Sequence, residues 1–367
     1  MLRKKSVLFI LLSLVMIFSS IACNTLTAAA ASSDLTLDDM PQSFKASIEW
    51  VYTNRMVKEG TPSYKNLIFD QIYAGKGTLN YVVRWQSSKS LTLEQRNKIT
   101  AMIRRQVTNW TQYLKGYDGW PYDDIAVNVV GWACADASRI LDKQPGETVY
   151  TDYIVDDLSK TDSRIPEKLP CAPDALSRFL HYSNPNYTYP GGLEKRFDMY
   201  LWGTTNFNGG AGGDWGQRIS DDYILSILDV NEAHIIEHEI GHGFGFPDFY
   251  SEADRPVGGF PVPTIMWAGN SSTITSWDCW LLRYTWSQLK KDISRFPAAE
   301  PPEISYGDLN DDGTINSTDF ALLKKYLLTG EAGDVNLQAA DVNADGAVNT
   351  IDLALLKSYL LGNISGF

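Results

Sequence analysis

Residues 238–248 read HEIGHGFGFPD and contain two of the four histidines in the 367-residue chain. His238 and His242 stand four residues apart, so on a helix both imidazoles leave the same face and can meet one ion. Glu239 is placed to take a proton from a zinc-activated water. Gly245 can adopt the positive φ that reverses the chain and returns Asp248 as a third ligand. The stretch predicts a zinc site held by His238, His242 and Asp248, with Glu239 as the catalytic base.

The residues around this stretch refine the prediction. Asp229 is a suitable N-cap for the helix, and Glu232 three residues later would complete a capping box. His234 falls on the face of the two predicted ligands, and we interpret it as a packing or hydrogen-bonding residue beside the site. Glu252 and Asp254 are the alternatives for the third ligand.

The pattern HExxHxxGxxD resembles the zinc motif of metzincin peptidases, and within them it most resembles snapalysin-type secreted bacterial proteases. The resemblance spans the motif and the segment up to Met266, which corresponds to the methionine turn beneath the metal in that family. It implies a zinc metalloendopeptidase with one catalytic Zn²⁺ and a protein or peptide substrate. Some metzincins have a tyrosine two residues beyond the methionine, where this chain has Ala268, so that role is not carried over.

Hydrophobic periodicity between residues 34 and 295 predicts an α+β domain of strands and helices. The resemblance to metzincins implies that these elements form a mixed sheet with an active-site helix. The predicted strands lie at 80–85, 125–132 and 196–202, and the predicted flanking helices at 93–114 and 277–293. The glycine-rich stretch 206–216 lacks a regular period and the lysine of a phosphate loop, so we predict a surface loop there. His181 follows an apolar stretch and is expected to be structural.

The C-terminal segment contains an internal duplication. Residues 308–329 match residues 341–362 at 13 of 22 positions, and each copy has alternating oxygen-bearing side chains followed by glycine at loop position six. This is the pattern of a calcium loop, with aspartate at position twelve. The predicted Ca²⁺ ligands are Asp308, Asn310, Asp312, Thr314 and Asp319 in the first copy and Asp341, Asn343, Asp345, Ala347 and Asp352 in the second.

A helix follows each calcium loop, but no helix precedes the first one, because the proline-rich linker 296–306 leads directly into it. Two loop–helix repeats in this arrangement resemble a type I dockerin. The resemblance covers residues 307–367 and implies a small all-α domain that holds two structural Ca²⁺ ions and binds a cohesin module of a cellulosomal scaffolding protein. The implied cohesin-binding residues are Ser317, Thr318, Lys324 and Lys325 in the first copy and Thr350, Ile351 and Lys357 in the second. Because Thr-Ile replaces Ser-Thr, the two copies need not bind equivalently, and two loops that only stabilise the tail are the alternative.

Residues 1–33 have a basic head, an apolar run and small residues, which together predict a secretory signal peptide. Residues 20–23 also resemble a lipoprotein cleavage box weakly, so the type of signal peptidase stays open. No other stretch is long and apolar enough to span a bilayer. We therefore expect a secreted, extracellular protein that belongs to a cellulosome.

Composition limits the remaining classes of function. The net charge of −12 argues against nucleic-acid binding. Cys134, Cys171 and Cys279 allow either one disulfide or three buried thiols. Eleven tryptophans leave open a cellulosomal carbohydrate-binding protein or glycoside hydrolase, although the latter would need two carboxylates about 5–9.5 Å apart and has no use for the zinc motif. A non-catalytic protein with a vestigial motif is a third class, against which the intact Glu239 argues.

Overall fold

The structure is a computed structural model that describes residues 35–160, 162–297, 305–310, 313–332 and 335–367. The predicted signal peptide lies outside the described residues, as do 298–304 of the predicted linker and the predicted calcium ligand Asp312. The chain divides between Leu289 and Lys290 into two compact units, which are described separately.

The first unit contains eight strands and seven α-helices among its described residues. The strands are β1 (Thr78–Gln86), β2 (Ala126–Cys134), β3 (Val149–Tyr150), β4 (Ile154–Asp156), β5 (Lys168–Pro170), β6 (Met199–Thr204), β7 (Gly210–Gly213) and β8 (Gly216–Ser220). The helices are α1 (Gln42–Val51), α2 (Ile68–Ala74), α3 (Leu93–Thr111), α4 (Arg178–His181), α5 (Asp221–Ser226), α6 (His234–Gly243) and α7 (Ser276–Leu289). A π-helical segment, Tyr52–Val57, continues α1.

Six of the strands form one mixed sheet in the order β3-β2-β1-β6-β8-β7. Neighbouring strands are parallel except for β7, which pairs antiparallel with β8 at the edge. Strands β4 and β5 form a separate antiparallel pair. The predicted combination of helices with a mixed sheet is confirmed, and the sheet is mostly parallel, so the unit has a mixed α/β architecture.

The prediction of a surface loop at 206–216 is wrong, because this stretch contains all of β7 and the start of β8. Glycine-rich sequence carries no alternating pattern, and here the strand conformation is imposed by pairing with β8 and by packing against α6. The other predicted strands and helices are present, with ends that differ by a few residues.

Helix α6 begins later than the predicted capping box of Asp229 and Glu232. The Asp229 carboxylate instead lies 2.9 Å from Lys98 Nζ, and the N-cap is Ala233, whose side chain makes no capping bond. The Ala233 backbone N–H donates to the side-chain oxygen of Gln106 on α3 at 3.0 Å. A tertiary contact with α3 therefore replaces the predicted local cap.

A buried aromatic cluster holds the end of α6 in place. It consists of Phe69 on α2, Trp110 on α3, Trp120, Phe244 directly after α6, and Trp286 on α7. Ring centroids lie 5.0 Å apart for Phe69 and Phe244, 5.9 Å for Trp110 and Phe244, and 4.8 Å for Trp120 and Trp286. Edge-on packing of large rings buries apolar area in a fixed geometry, so the cluster fixes where the chain leaves α6.

The second unit contains α8 (Ser317–Thr329), α9 (Leu337–Ala340) and α10 (Thr350–Leu360). Asn316 and Asn349 cap the two long helices, each in a capping box with the aspartate three residues later. The fully buried core side chains are Leu309, Leu323, Ala340 and Leu356. The two predicted loop–helix repeats are present, and the short helix α9 before the second loop was not predicted.

Two further expectations concern membrane spans and cysteines. No helix in the described part of the chain is long and apolar enough to cross a membrane. Cys134, Cys171 and Cys279 are buried free thiols, which settles the choice that the sequence left open.

The contact between α3 and α6 leads to a prediction about pH. Glu237 is fully buried, and it accepts a hydrogen bond from Asn109 Nδ2 on Oε1 at 2.6 Å, while Oε2 has no partner. Burial raises the pKa of Glu237 to about 7, and the Asn109 bond opposes that rise. A carboxyl whose folded-state pKa is raised contributes stability below its unfolded pKa of about 4.5, and this contribution is lost as pH rises through about 7.

We therefore expect Glu237→Gln to raise the Tm of the first unit at pH 8 by roughly 2 °C or more relative to the wild type, and by less at pH 5. Differential scanning calorimetry at both pH values measures this difference. Glu194→Gln, at an exposed position elsewhere in the first unit, is the control. A Glu237→Gln effect that is equal at pH 5 and pH 8 would contradict the prediction.

Candidate functional site

The Nε2 atoms of the two motif histidines face a common position. His238 Nδ1 lies 2.8 Å from the carbonyl oxygen of Ile265, and His242 Nδ1 lies 2.7 Å from that of Phe246. A carbonyl oxygen can only accept, so both Nδ1 atoms carry the proton and donate. Both Nε2 atoms then offer a lone pair, which is the state that a metal requires.

Asp248 lies opposite the two imidazoles. Its Oδ1 is 3.1 Å from His238 Nε2 and 3.5 Å from His242 Nε2. Ligands bonded to zinc at 2.0–2.1 Å in tetrahedral geometry are about 3.4 Å apart, so the two distances from Asp248 Oδ1 are those expected between zinc ligands. The same Oδ1 is buried without a hydrogen-bond partner of good geometry. The donor set of two imidazoles and one carboxylate therefore fits Zn²⁺, and the predicted third ligand lies with the histidines.

Burial and the neighbouring polar groups act in opposite directions on these ligands. Burial alone would raise the pKa of the Asp248 carboxyl, but the two adjacent histidines hold that pKa well below its usual range. For His238, burial would lower the pKa, and the contacts with the Asp248 carboxylate and the Ile265 carbonyl oxygen raise it instead. The aspartate therefore stays ionised as a ligand, and protons compete with a metal for His238.

Gly245 turns the chain so that Asp248 can reach the site, as predicted. Its φ of +89° lies in the left-handed region, and a Cβ there would lie 2.4 Å from Thr61 Cγ2. Arg55, on the π-helical segment, then fixes the returning chain, because its Nη1 donates to the carbonyl oxygen of Asp248 at 2.9 Å.

Glu239, the predicted base, is 5% exposed and lies beside the ligands, with Oε2 3.9 Å from His242 Nε2. Burial raises the pKa of Glu239, and the two histidines oppose that rise. A carboxylate with a raised pKa is better suited to take up a proton near neutral pH. Its distance to His242 exceeds that between Asp248 and either histidine, which fits a base rather than a ligand.

The backbone of strand β7 packs directly against Glu239. A Cβ added to Gly210 would lie 2.1 Å from Glu239 Oε1, and one added to Gly212 would lie 2.3 Å from the Glu239 carbonyl oxygen. Only glycine permits this close approach, so the backbone of the edge strand itself forms one wall of the site. The sequence interpretation of 206–216 as a surface connection missed this wall, because the glycine-rich stretch has no alternation of apolar and polar side chains.

Met266, which the resemblance assigns to a methionine turn, packs against α6. A Cβ on Gly241, between the two histidines in sequence, would lie 2.4 Å from Met266 Sδ. The fully buried Asp278 holds this turn, accepting hydrogen bonds from Thr264 Oγ1 at 2.5 Å and from the Ile265 backbone N–H at 3.1 Å. Because Ile265 in turn accepts from His238, Asp278 acts on the predicted ligand through the turn.

Tyr250 is a candidate functional residue that the sequence interpretation missed. Its hydroxyl lies 3.4 Å from His238 Nε2, and its ring lies parallel to that imidazole. Burial and hydrogen bonding to Asp248 raise the pKa of Tyr250, so the phenol keeps its proton and remains a donor. Its position two residues after Asp248 was the signal in the sequence.

The other histidines and the two alternative acidic ligands lie apart from the proposed metal ligands. His234 is partly buried at the start of α6 and is not in the group formed by His238, Glu239 and His242. Glu252 is exposed, and Asp254 accepts from Ser251 and lies 3.2 Å from Arg55 Nη1. His181 stacks on Tyr187 at 3.7 Å. Asp248 is thus the acidic residue after the motif that reaches the histidines, ahead of Glu252 and Asp254.

The glycine at position six of each calcium loop has the backbone conformation that the pattern predicts. Gly313 and Gly346 at position six have φ of +82° and +87°. In the second loop, Asp341 Oδ2 accepts from the Gly346 N–H at 2.7 Å. Asp352 is fully buried, and its Oδ1 has no hydrogen-bond partner. A buried carboxylate oxygen without a donor, beside a loop of oxygen ligands, is suited to Ca²⁺.

The side chains implied in cohesin binding are all exposed. They are Ser317, Thr318, Lys324, Lys325, Thr350, Ile351 and Lys357. Ile351 is 55% exposed, which is unusual for an isoleucine and distinguishes the second copy from the first, where Thr318 occupies the equivalent position.

Comparison with known proteins identifies the second unit. Residues 306–361 match the family model of the dockerin type I domain. Endoglucanase A from Acetivibrio thermocellus is 52% identical over 40 residues, which are 11% of this chain and 8% of that protein. The chain thus spans only 8% of the length of this curated relative.

Two solved structures are also similar over this region. A chain of a type I cohesin–dockerin complex from Clostridium thermocellum is 51% identical, covers 16% of this chain and 94% of its own length, and has a TM-score of 0.16. A chain of a complex between the sixth cohesin of scaffoldin B and a Cel5 dockerin variant from Acetivibrio cellulolyticus is 38% identical, covers 17% and 97%, and also has a TM-score of 0.16.

Residues 306–361 are a type I dockerin domain, as the duplicated loop–helix pattern predicted. Calcium is the cofactor that this family assignment supports for the second unit.

The calcium loops lead to a testable expectation. The core of the second unit is too small to stabilise the fold without its ions. EGTA should therefore abolish the helical signal and the unfolding transition of the second unit while the transition of the first unit remains. We expect Asp352→Asn to reduce bound calcium from about two ions to about one. Circular dichroism and isothermal titration calorimetry measure both effects, with Asp229→Asn in the first unit as the charge-matched control. An unchanged second-unit transition in EGTA would refute the expectation.

Proposed function

We propose that the first unit is a zinc-dependent endopeptidase that the dockerin domain attaches to a cellulosome. The observation that carries the peptidase proposal is the meeting of His238 Nε2, His242 Nε2 and Asp248 Oδ1 at one point, with the buried Glu239 beside them. The resemblance of the motif to that of snapalysin-type metzincins supports the same proposal.

The two histidines and Asp248 would hold one zinc ion. When bound there, zinc would polarise a substrate carbonyl and make a water molecule more acidic. The hydrogen bonds from the two Nδ1 atoms to the carbonyl oxygens of Ile265 and Phe246 keep both imidazoles in the tautomer that presents Nε2.

Glu239 has the position and the protonation behaviour of a general base. It takes a proton from the attacking water and passes it to the leaving amine, for which its raised pKa is suited. The Tyr250 hydroxyl, which keeps its proton, lies within reach of the same space and can donate to the oxygen that becomes negative during attack.

Edge strand β7 supplies a binding site for an extended peptide. Its outer edge is unpaired in the sheet order, and it lines the same cleft of about 610 Å³ as the two histidines and Glu239. An extended chain can pair with such an edge through main-chain hydrogen bonds, which depend little on sequence. This arrangement favours a peptide over a sugar as substrate.

The first test replaces the base. Glu239→Gln should keep zinc and lower peptide cleavage by roughly a hundredfold or more, because the amide cannot take the proton while the ligands are unchanged. The measurements are zinc content of the purified full-length protein and cleavage of casein and of a quenched fluorescent peptide library.

Glu237→Gln is the matched control, because Glu237 lies on the same helix and contacts α3 rather than the cleft. It should keep both zinc and cleavage. Undiminished casein cleavage by Glu239→Gln would refute the proposed base. Cleavage of a polysaccharide panel without any peptide cleavage would instead favour a carbohydrate-active protein.

For the second unit we propose calcium-dependent binding of a cohesin module on a cellulosomal scaffolding protein, which implies an extracellular, complex-associated location. The type I dockerin assignment supports this partner. The exposed residues at loop positions ten and eleven differ between the copies, Ser317 and Thr318 against Thr350 and Ile351. The two copies should therefore differ in affinity for a given cohesin.

This anchoring is tested with a type I cohesin and two variants, Ser317→Ala with Thr318→Ala, and Thr350→Ala with Ile351→Ala. Each leaves one copy intact, and the Kd values of the two should differ by roughly tenfold or more in titration calorimetry, since tenfold corresponds to about 1.4 kcal/mol. EGTA should release the cohesin from the wild type. Binding that survives EGTA would refute calcium dependence, and equal Kd values would refute the difference between the copies.

A further inference from the structure

The cleft carries an acidic group that the chemistry described above does not use. Asp214 follows β7 directly and lines the same cleft as His238 and Glu239. The other acids of that cleft are engaged, since Glu59 Oε1 lies 2.6 Å from Arg55 Nε and Asp248 faces the histidines. Asp214 makes no ion pair with any lysine, arginine or histidine in the described part of the chain.

Two buried amides hold Asp214 in place. Asn66 Nδ2 donates to the Asp214 carbonyl oxygen at 3.0 Å and to its Oδ2 at 3.3 Å. Gln71 Nε2 donates to the same carbonyl oxygen at 2.8 Å. Both amides belong to fully buried residues, so the turn after β7 is rigid and the carboxylate is held at a fixed place beside the edge strand.

The Asp214 carboxylate has little positive charge around it. Burial raises the pKa of Asp214, the bond from Asn66 opposes that rise, and the nearby Asp70 adds to it. An acidic group that is partly removed from water and lacks a cation gains most from a ligand that brings one.

We propose that Asp214 is a specificity-determining residue that selects substrates with a lysine or arginine side chain near the bond that is cleaved. A peptide paired with β7 advances at about 3.3 Å per residue, as the strand does. Asp214 lies four residues beyond Gly210, which faces Glu239. The basic side chain therefore falls within about four positions of the scissile bond. This inference rests on the proposed peptidase function and names its substrate class.

The experiment compares full-length wild type with Asp214→Asn on peptides that differ at one position, which carries lysine, norleucine or glutamate and is moved along the peptide. Lysine and norleucine have similar length and shape, so their ratio of kcat/KM isolates the charge. The wild type should prefer lysine over norleucine by roughly tenfold to a hundredfold at one position, with glutamate poorest. The Asp214→Asn ratio should fall towards one, while Asp229→Asn, a control remote from the cleft, should keep the wild-type ratio.

A wild type that cleaves the lysine and norleucine peptides equally well at every position overturns the inference and leaves the peptidase proposal standing. Retention of the lysine preference by a folded Asp214→Asn variant also overturns it. Binding of the same peptides to Glu239→Gln, measured by fluorescence anisotropy, separates the two proposals. The inference is supported if Glu239→Gln binds the lysine peptide more tightly than the norleucine peptide and Glu239→Gln/Asp214→Asn does not. This support stands even if the wild type cleaves no peptide, a result that would refute the peptidase function.

Discussion

The hydrogen bond from His238 Nδ1 to the carbonyl oxygen of Ile265 is the contact on which the site of the first unit depends. It joins the motif helix to a turn 27 residues further along the chain and selects the tautomer that leaves Nε2 free. The turn is itself fixed, because buried Asp278 accepts from the Ile265 N–H and from Thr264. Removing the Asp278 carboxylate would leave buried donors without an acceptor, so the orientation of the ligand and the stability of the turn are coupled.

Local patterns in the sequence predicted what local geometry controls. The spacing of His238 and His242 places two imidazoles on one helical face whatever lies around them, and the glycine at 245 has the positive φ that the motif requires. The same holds for the duplicated loops, where the positive φ of the glycine at position six depends on neighbouring residues alone. The prediction of a dockerin at 307–367 followed from that repetition, and the family model matches residues 306–361.

Features that depend on distant contacts were missed. Strand β7 has no side-chain pattern to read, and its conformation comes from β8 on one side and from the backbone of Glu239 on the other. The predicted cap at Asp229 is wrong because α6 begins only at His234, where Gln106 on α3 accepts from the Ala233 N–H, and the Asp229 carboxylate lies beside Lys98 instead. Tyr250 joins the site only because the chain reverses before it, which a linear motif does not record.

The bond from Arg55 to the Asp248 carbonyl spans 193 residues of sequence. Two ligands of the proposed metal site therefore lie on one helix, while the third is held by a contact between residues that are far apart in the sequence. Closing a loop of this length costs conformational entropy, which other contacts of the folded unit must offset. The third ligand is therefore held in place only when the segments around Arg55 and Asp248 are both folded.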